Sequence, residues 1–385
     1  MKCASVVLTI SLLLVGVAPA ADSLNVRFIG GIDTQGGAQG IAVSGDYAYV
    51  TNYVDSSGLR VISISDPAHP AEVGHYNTPG HAYGVAVSGD YAYVADALGL
   101  RVISIADPAH PAEVGYLETP GSALNVAVNA DYAYVAGGDS GLRVVSVADP
   151  AHPAEVGNYD TPGISNGVAV SGEYAYVADR DSGLRVISVA DPAHPVEVGH
   201  CHTPQWAFVV AMSGDYAYVA DFGAGLRVVS ISDPAHPVEV GYYDTIRSAY
   251  GVTVSGNYAY VAGWSAGLRV NSVSDPPHPV EVGYYKTPNL ALGVALSGGY
   301  AYVAGYYAGL EIYQFYGDGV EESPKPQASS RKPAETVISS LPLGDVVFDA
   351  MGRRVLNPRS GVYFVREPSA VGRGPSAVTK VIIQR

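Results

Sequence analysis

Hydrophobic and polar positions alternate along most of this chain in short runs, and the runs return at a fixed interval. One unit, Gly84 to Gly121, reads GVAVSGDYAYVADALGLRVISIADPAHPAEVGYLETPG. Val85 and Val87, then Tyr91 and Tyr93, keep a period of two, and β-branched and aromatic residues fill the runs, as half-buried strands require. The unit therefore predicts four strands: a (GVAV), b (YAYVA), c (GLRVISI) and d (AEVGYLE). The b-strand signature Tyr-Ala-Tyr-Val occurs seven times, at Tyr47, Tyr91, Tyr132, Tyr174, Tyr216, Tyr258 and Tyr300, spaced by 44, 41 and then 42 residues. A period of that length filled with four short strands predicts a propeller blade. The expected fold is all-β, a seven-bladed β-propeller.

The turns support this division. Ser88-Gly89-Asp90 fits a tight a-to-b hairpin, since glycine takes the positive φ that a two-residue loop needs. Asp107-Pro108-Ala109-His110-Pro111 ends strand c, because proline cannot donate to a ladder. This turn occurs only six times, at Asp66, Asp107, Asp149, Asp191, Asp233 and, as DPPHP, Asp275. The seventh unit stops after strand c, and its missing d strand matches Arg27 to Thr34 at the other end of the chain. The N-terminal strand is thus expected to close the last blade, leaving no open edge. Six units also carry Arg in strand c (Arg60 to Arg269) and Glu in strand d (Glu72 to Glu281), whereas the seventh has Glu311 and Phe28. Joint replacement in one blade points to a cross-strand pair.

The recurring GLRVISIADPAHPAEVG, preceded by GVAVSGDYAYVAD, resembles the LVIVD repeat of bacterial and archaeal surface or secreted proteins, over about Asn25 to Phe315. The resemblance implies a propeller and no particular activity. The His of the DPAHP turn is where the chain departs from the family pattern.

Lys2, an apolar run from Val6 to Val17 and Ala18-Pro19-Ala20 read as a secretory signal peptide over residues 1–20, too short for a membrane span. The propeller is assigned to 21–316, a Pro-, Ser- and Glu-rich linker to 317–342 and a small C-terminal β module to 343–385. In that module Asp349-Ala350-Met351-Gly352-Arg353, Gly361-Val362-Tyr363-Phe364 and Lys380-Val381-Ile382-Ile383 resemble the C-terminal sorting domain of proteins exported by the type IX (Por) secretion system. Cleavage of the leader would leave Cys201 as a single cysteine, so disulfides are not expected to hold the fold. A formal net charge of −15 opposes binding to nucleic acid or anionic lipid. The localisation expected is extracellular or on the outer surface, for a monomeric propeller without a transmembrane segment.

In an antiparallel meander the a-to-b and c-to-d turns share one face of the ring, and the b-to-c and d-to-a loops share the other. The first face is nearly uniform from unit to unit and the second varies, which marks the second as the binding face. It carries Trp206, Phe208, Phe222, Tyr250, Trp264, Tyr306 and Tyr307, a candidate patch for an extracellular protein or a glycan. His69, His110, His152, His194, His236 and His278 are read as turn residues, because blades stand about 10 Å apart and a shared ion needs ligands near 2 Å. In His200-Cys201-His202 strand alternation sends Cys201 to the opposite side from the two histidines. Asp179 and Asp181, with Asp55 and Asp139 in related loops, are weak calcium candidates, and no other cofactor is expected. No HExxH, CxxC or P-loop is present. A non-enzymatic binding or adhesion module is therefore the expectation. The alternative is a hydrolase or lyase with its site at the channel mouth, using Asp96, Asp179 or Asp221.

Overall fold

The structure, a computed structural model, describes residues 23–54, 58–244 and 248–317, together with the backbone of five strands between 336 and 383. The expected signal peptide lies outside the described residues. The chain divides into two units, Met1–Glu321 and Glu322–Arg385.

The first unit is a ring of seven antiparallel sheets, each in the order a-b-c-d. Blade 2 shows the pattern: Ala82–Ser88, Tyr91–Asp96, Gly99–Ser104 and Ala112–Glu118. Strand b is the most enclosed, because alternate side chains pack against the blades on either side. Tyr93 and Ala95 join Val126, Ala133 and Val135 of blade 3, whereas Ala92 and Val94 join Tyr49, Leu59 and Val61 of blade 1. The core is accordingly seven apolar layers, one between each pair of neighbours.

Closure follows the sequence expectation. Val26–Ile32 runs antiparallel to Leu310–Phe315 and supplies strand d of blade 7. The short strand Ser23–Leu24 adds a fifth strand to blade 6, beside Val280–Tyr285.

Each strand d of blades 1 to 6 has a bulge between its Glu and Gly, as at Glu113 and Gly115. The glycine is needed for close approach: a Cβ on Gly74 would collide with the Pro108 carbonyl in the next blade's Asp-Pro turn, and Gly115 meets Pro150 in the same way. Gly157, Gly199 and Gly241 repeat the contact with Pro192, Pro234 and Pro276, and Gly30 receives Pro67 across the closure. Only Gly283 faces no such turn, since blade 7 has none; the Phe315 ring and the Leu24 carbonyl occupy that place.

The paired charges meet as expected. Arg60–Glu72, Arg185–Glu197 and Arg269–Glu281 lie at 3.3, 3.3 and 3.4 Å, and Arg101–Glu113, Arg143–Glu155 and Arg227–Glu239 at 3.8, 3.5 and 3.5 Å. The contact is diagonal, since Glu72 stands opposite Ile62, two residues beyond Arg60. Such pairs contribute roughly 0.2–1 kcal/mol each. In blade 7 the same cell holds Phe28 edge-on to Tyr313 at 5.7 Å, with Glu311 buried beside them.

In the second unit Val378–Ile383 pairs antiparallel with Gly361–Arg366 and parallel with Thr336–Ile338. Two shorter strands, Val347–Phe348 and Arg354–Val355, pair antiparallel with each other. Thr336–Ile338 falls within the span read as linker.

Glu311 is only 3% exposed, with the buried Tyr313 hydroxyl beside it. Burial pushes its carboxyl from an ordinary 4.5 up to about 7, so the folded chain holds this proton more tightly than the unfolded chain. The resulting destabilisation is absent below about pH 4.5, grows as pH rises and is complete above about 7, on the order of 3 kcal/mol. Glu311→Gln is expected to flatten this fall and to melt higher than the wild type at pH 8. Thermal unfolding of both proteins at pH 5 and pH 8 checks it. Asp179, Asp221 and Glu281 are also raised by burial, so the difference between the two proteins is the quantity that isolates Glu311.

Candidate functional site

The channel through the ring is lined by the seven a strands, one residue each at its mouth on the variable face: Gln39, Tyr83, Leu124, Asn166, Phe208, Tyr250 and Leu292. All of them but Phe208 line a recess of about 120 Å³. A broader, open recess of about 580 Å³ lies between blades 2 and 3, lined by Leu98, Glu118, Pro120, Asp139 and neighbours, without aromatic rings.

The b-to-c loops build an arc outside this mouth. In blades 4 to 7 the second residue after strand b bridges to the entry of the next blade's strand a: Arg180 to Ala207, Phe222 to Ala249, Trp264 to Ala291 and Tyr306 to Ala38. The bridge needs a left-handed backbone, with φ of 38°, 30°, 52° and 49° at these four residues. Blade 3 makes the same bridge with Gly138, at φ 60°. A side chain in that conformation costs roughly 1–2 kcal/mol that glycine would avoid.

The structure joins five of the expected residues into one ladder. Trp206 lies on Phe222 at 5.7 Å and 18°, Phe222 meets Phe208 edge-on at 5.4 Å, Phe208 stacks on Tyr250 at 4.6 Å, and Tyr250 meets Trp264 at 5.3 Å. Trp206 is 44% exposed and presents the outer surface of the ladder, whereas Phe208, at 6%, is a supporting ring beneath it. Tyr306 and Tyr307 stand apart from the ladder as a pair with centroids 4.2 Å apart, Tyr307 being 59% exposed.

Residues outside the expected set complete the mouth. Tyr53 stacks on His81 at 4.7 Å and leans on Tyr83 at 5.3 Å. Arg180 donates from Nε to Asn166 Oδ1 at 3.2 Å and its guanidinium lies over the Phe208 ring at 5.6 Å. Burial pushes the phenols of Tyr83 and Tyr250 up, and Arg180 opposes the rise at both, although they belong to blades 2 and 6. Arg180, in blade 4, is thus held against Asn166, a residue of the channel lining. The sequence signal for it was present: at the place where its neighbours have Gly138, Phe222 and Trp264, only blade 4 has a cation.

The acid–base candidates do not face the channel. Asp96, Asp179 and Asp221 are fully buried, and their carboxylates tie down the loop that enters their own blade. Asp179 accepts from Thr161 Oγ1 at 2.6 Å, Gly163 N at 2.9 Å and Ser165 Oγ at 3.4 Å; Asp221 accepts from Thr203 Oγ1 and Gln205 N; Asp96 accepts from Gly80 N and Leu98 N. Asp179 and Asp221 stand between strand b and the bridging residue described above, whereas Asp96 is the last residue of its strand b. The same geometry separates the calcium candidates, since Asp181 is exposed and Asp179 buried. Asp55 lies outside the described residues. Among the described residues no three His, Cys, Asp or Glu side chains are grouped so as to hold a metal ion.

The six turn histidines each place Nδ1 2.8–3.0 Å from Oδ2 of the aspartate three residues before, on the exposed uniform face. These bonds hold the carboxyls of Asp66, Asp107, Asp149, Asp191 and Asp233 below the usual carboxylate range. Cys201 packs half-buried against the layer between blades 4 and 5, and its exposed neighbour His200 pairs with Glu197. No helix occurs among the described residues, so none is long and apolar enough to cross a membrane.

The LVIVD repeat model matches residues 35–78, 79–119, 120–161, 162–203, 207–245, 246–287 and 290–312, most of the chain and all seven blades. Among curated proteins no sequence matches. A solved structure, the crystal structure of the computationally designed Ika8 protein, superposes with a TM-score of 0.56 at 8% identity, covering 75% of this chain and 99% of that one. At that identity the likeness is one of fold alone.

If the left-handed backbone at Arg180 is kept for its side chain, then Arg180→Gly removes backbone strain of roughly 1–2 kcal/mol against a lost ring contact of about 0.5–1 kcal/mol and a lost hydrogen bond to Asn166 of about 0.5–1.5 kcal/mol. The variant is expected to melt near the wild-type temperature. A fall of several degrees in a thermal unfolding scan would instead make Arg180 a residue that the fold needs.

Proposed function

Given that the chain belongs to the LVIVD repeat family, we propose that this propeller is a non-enzymatic binding or adhesion module that engages an extracellular protein or glycan through its variable face. One observation carries the reading: at a backbone position where Gly138 serves blade 3 without strain, four successive blades keep Arg180, Phe222, Trp264 and Tyr306. Large side chains held at a backbone cost cluster where they act on something. The ladder ending in exposed Trp206 supplies a rigid aromatic surface with little conformational entropy left to lose. The proposal carries no catalytic step, in keeping with Asp96, Asp179 and Asp221 spending their oxygens inside the blades.

Secretion to the cell exterior is part of the proposal. It draws on the leader-like residues 1–20 and on the likeness of the last residues to a type IX sorting domain. The C-terminal unit, with Gly361–Arg366 and Val378–Ile383 as its longest pair of strands, would then serve export or attachment while the propeller does the binding.

Two results are expected. Trp206→Ala together with Trp264→Ala should abolish binding of the propeller to whatever ligand a glycan and surface-protein array identifies, with the melting temperature little changed; unchanged binding would refute the patch. A reporter carrying residues 317–385 behind a signal peptide, in a host with type IX secretion, should reach the medium or the outer surface. Its retention in the periplasm would refute the sorting role.

A further inference from the structure

We infer that the channel mouth is built for a single carboxylate, and that the ligand is an acidic oligosaccharide whose uronate group enters beside Arg180 while adjoining sugar rings lie on the Trp206–Phe222 ladder. The inference rests on the binding role proposed for this face and gives that ligand its chemistry.

Arg180 is the starting point. The six strand-c arginines each lie against a glutamate. Among the described residues no carboxylate pairs with Arg180; Asn166 takes its Nε and the Phe208 face lies beneath it. The terminal nitrogens of a guanidinium form a fork that fits a carboxylate by two parallel hydrogen bonds. An unneutralised cation beside the channel lining is notable on a chain whose net charge is −15. Its surroundings suit an anion: the phenols of Tyr83 and Tyr250, both pushed up by burial, remain hydrogen-bond donors, and Gln39 and Asn125 add amides to the channel lining.

Size selects among anionic ligands. A recess of about 120 Å³ has room for a carboxylate and a few waters, at roughly 30 Å³ per water, and falls short of the 300 Å³ or more that a whole drug-sized ligand occupies. The remainder of the ligand must therefore lie outside, on the arc. There Trp206 uses one ring face against Phe222 and leaves the other to solvent, a platform for the flat C–H face of a sugar. Hydroxyl-rich rings also suit an edge of amides and phenols better than the apolar side chains of a peptide would.

Calorimetric titration of the full chain with tetragalacturonate and with its neutral methyl ester tests this, using the wild type, Arg180→Gln and the Trp206→Ala/Trp264→Ala variant. The acid is expected to bind at least about tenfold more tightly than the ester to the wild type, as a charged hydrogen bond is worth. Arg180→Gln should erase that difference, and the Trp variant should weaken both sugars. Equal affinities for acid and ester, or an Arg180→Gln variant that still prefers the acid, would overturn the inference. Loss of an array ligand in the Trp variant would still uphold the binding face in that case. If neither sugar binds the wild type, the uronate assignment is wrong, and the array alone decides whether the face binds at all.

Discussion

A glycine at the bulge of every d strand decides how the ring holds together. Because Gly74, Gly115, Gly157, Gly199 and Gly241 have no Cβ, the carbonyl of a proline from the next blade settles directly onto the strand. Each Asp-Pro-Ala-His-Pro turn thus does two things: it ends strand c, since proline breaks the ladder, and it keys one blade into the blade before it. Any larger residue at these glycines would hold neighbouring blades apart and open the apolar layer between them. That layer, with residues such as Tyr134, Leu142 and Val177, is where burial stabilises the ring.

The same socket accounts for both ends of the propeller chain. Gly30, on the N-terminal strand, receives the Pro67 turn of blade 1, so the first residues of the propeller both complete blade 7 and key the ring shut. Blade 7 has no Asp-Pro turn to offer to Gly283. The Phe315 ring fills the gap, packed against Tyr258 at 5.0 Å, and Leu24 joins it through the extra strand on blade 6. Six turns and one aromatic plug therefore serve seven sockets. The exchange of Arg and Glu for Glu311 and Phe28 belongs to this irregular blade as well, where Phe28 packs on Tyr313 in place of an ion pair.

Much of this was legible in the sequence, and for identifiable reasons. Strand order, blade number and closure follow from a period of two nested in a period near 42, which survives in any single unit. The Arg–Glu pair was legible because both members change together in blade 7. The role of Asp96, Asp179 and Asp221 was not, since position after strand b says nothing about which way a side chain turns. Their hydrogen bonds to Gly80, Gly163 and Gln205 arise from a loop that folds back from the preceding blade, a contact across 16 residues. Phe208 was read as surface because it sits in a loop with Trp206, yet ring geometry places it under Arg180. Tyr53 and Tyr83 escaped notice for the opposite reason, being two tyrosines in a chain that has 29.

The uniform and the variable face then differ for a mechanical reason. A turn that must fit a glycine socket cannot change without parting two blades, and six such turns hold one face nearly constant. On the other face the b-to-c loop meets its neighbour only by a backbone bridge, such as that of Trp264 with Ala291, which any residue able to adopt a positive φ can make. Side-chain identity there is released from the fold, apart from the cost of the left-handed backbone. A seven-fold scaffold can bind a ligand of lower symmetry only where its repeats are free to differ, and this loop is such a place. Gly138 shows what the backbone alone would choose, and Arg180, Phe222, Trp264 and Tyr306 show where something other than the backbone made the choice.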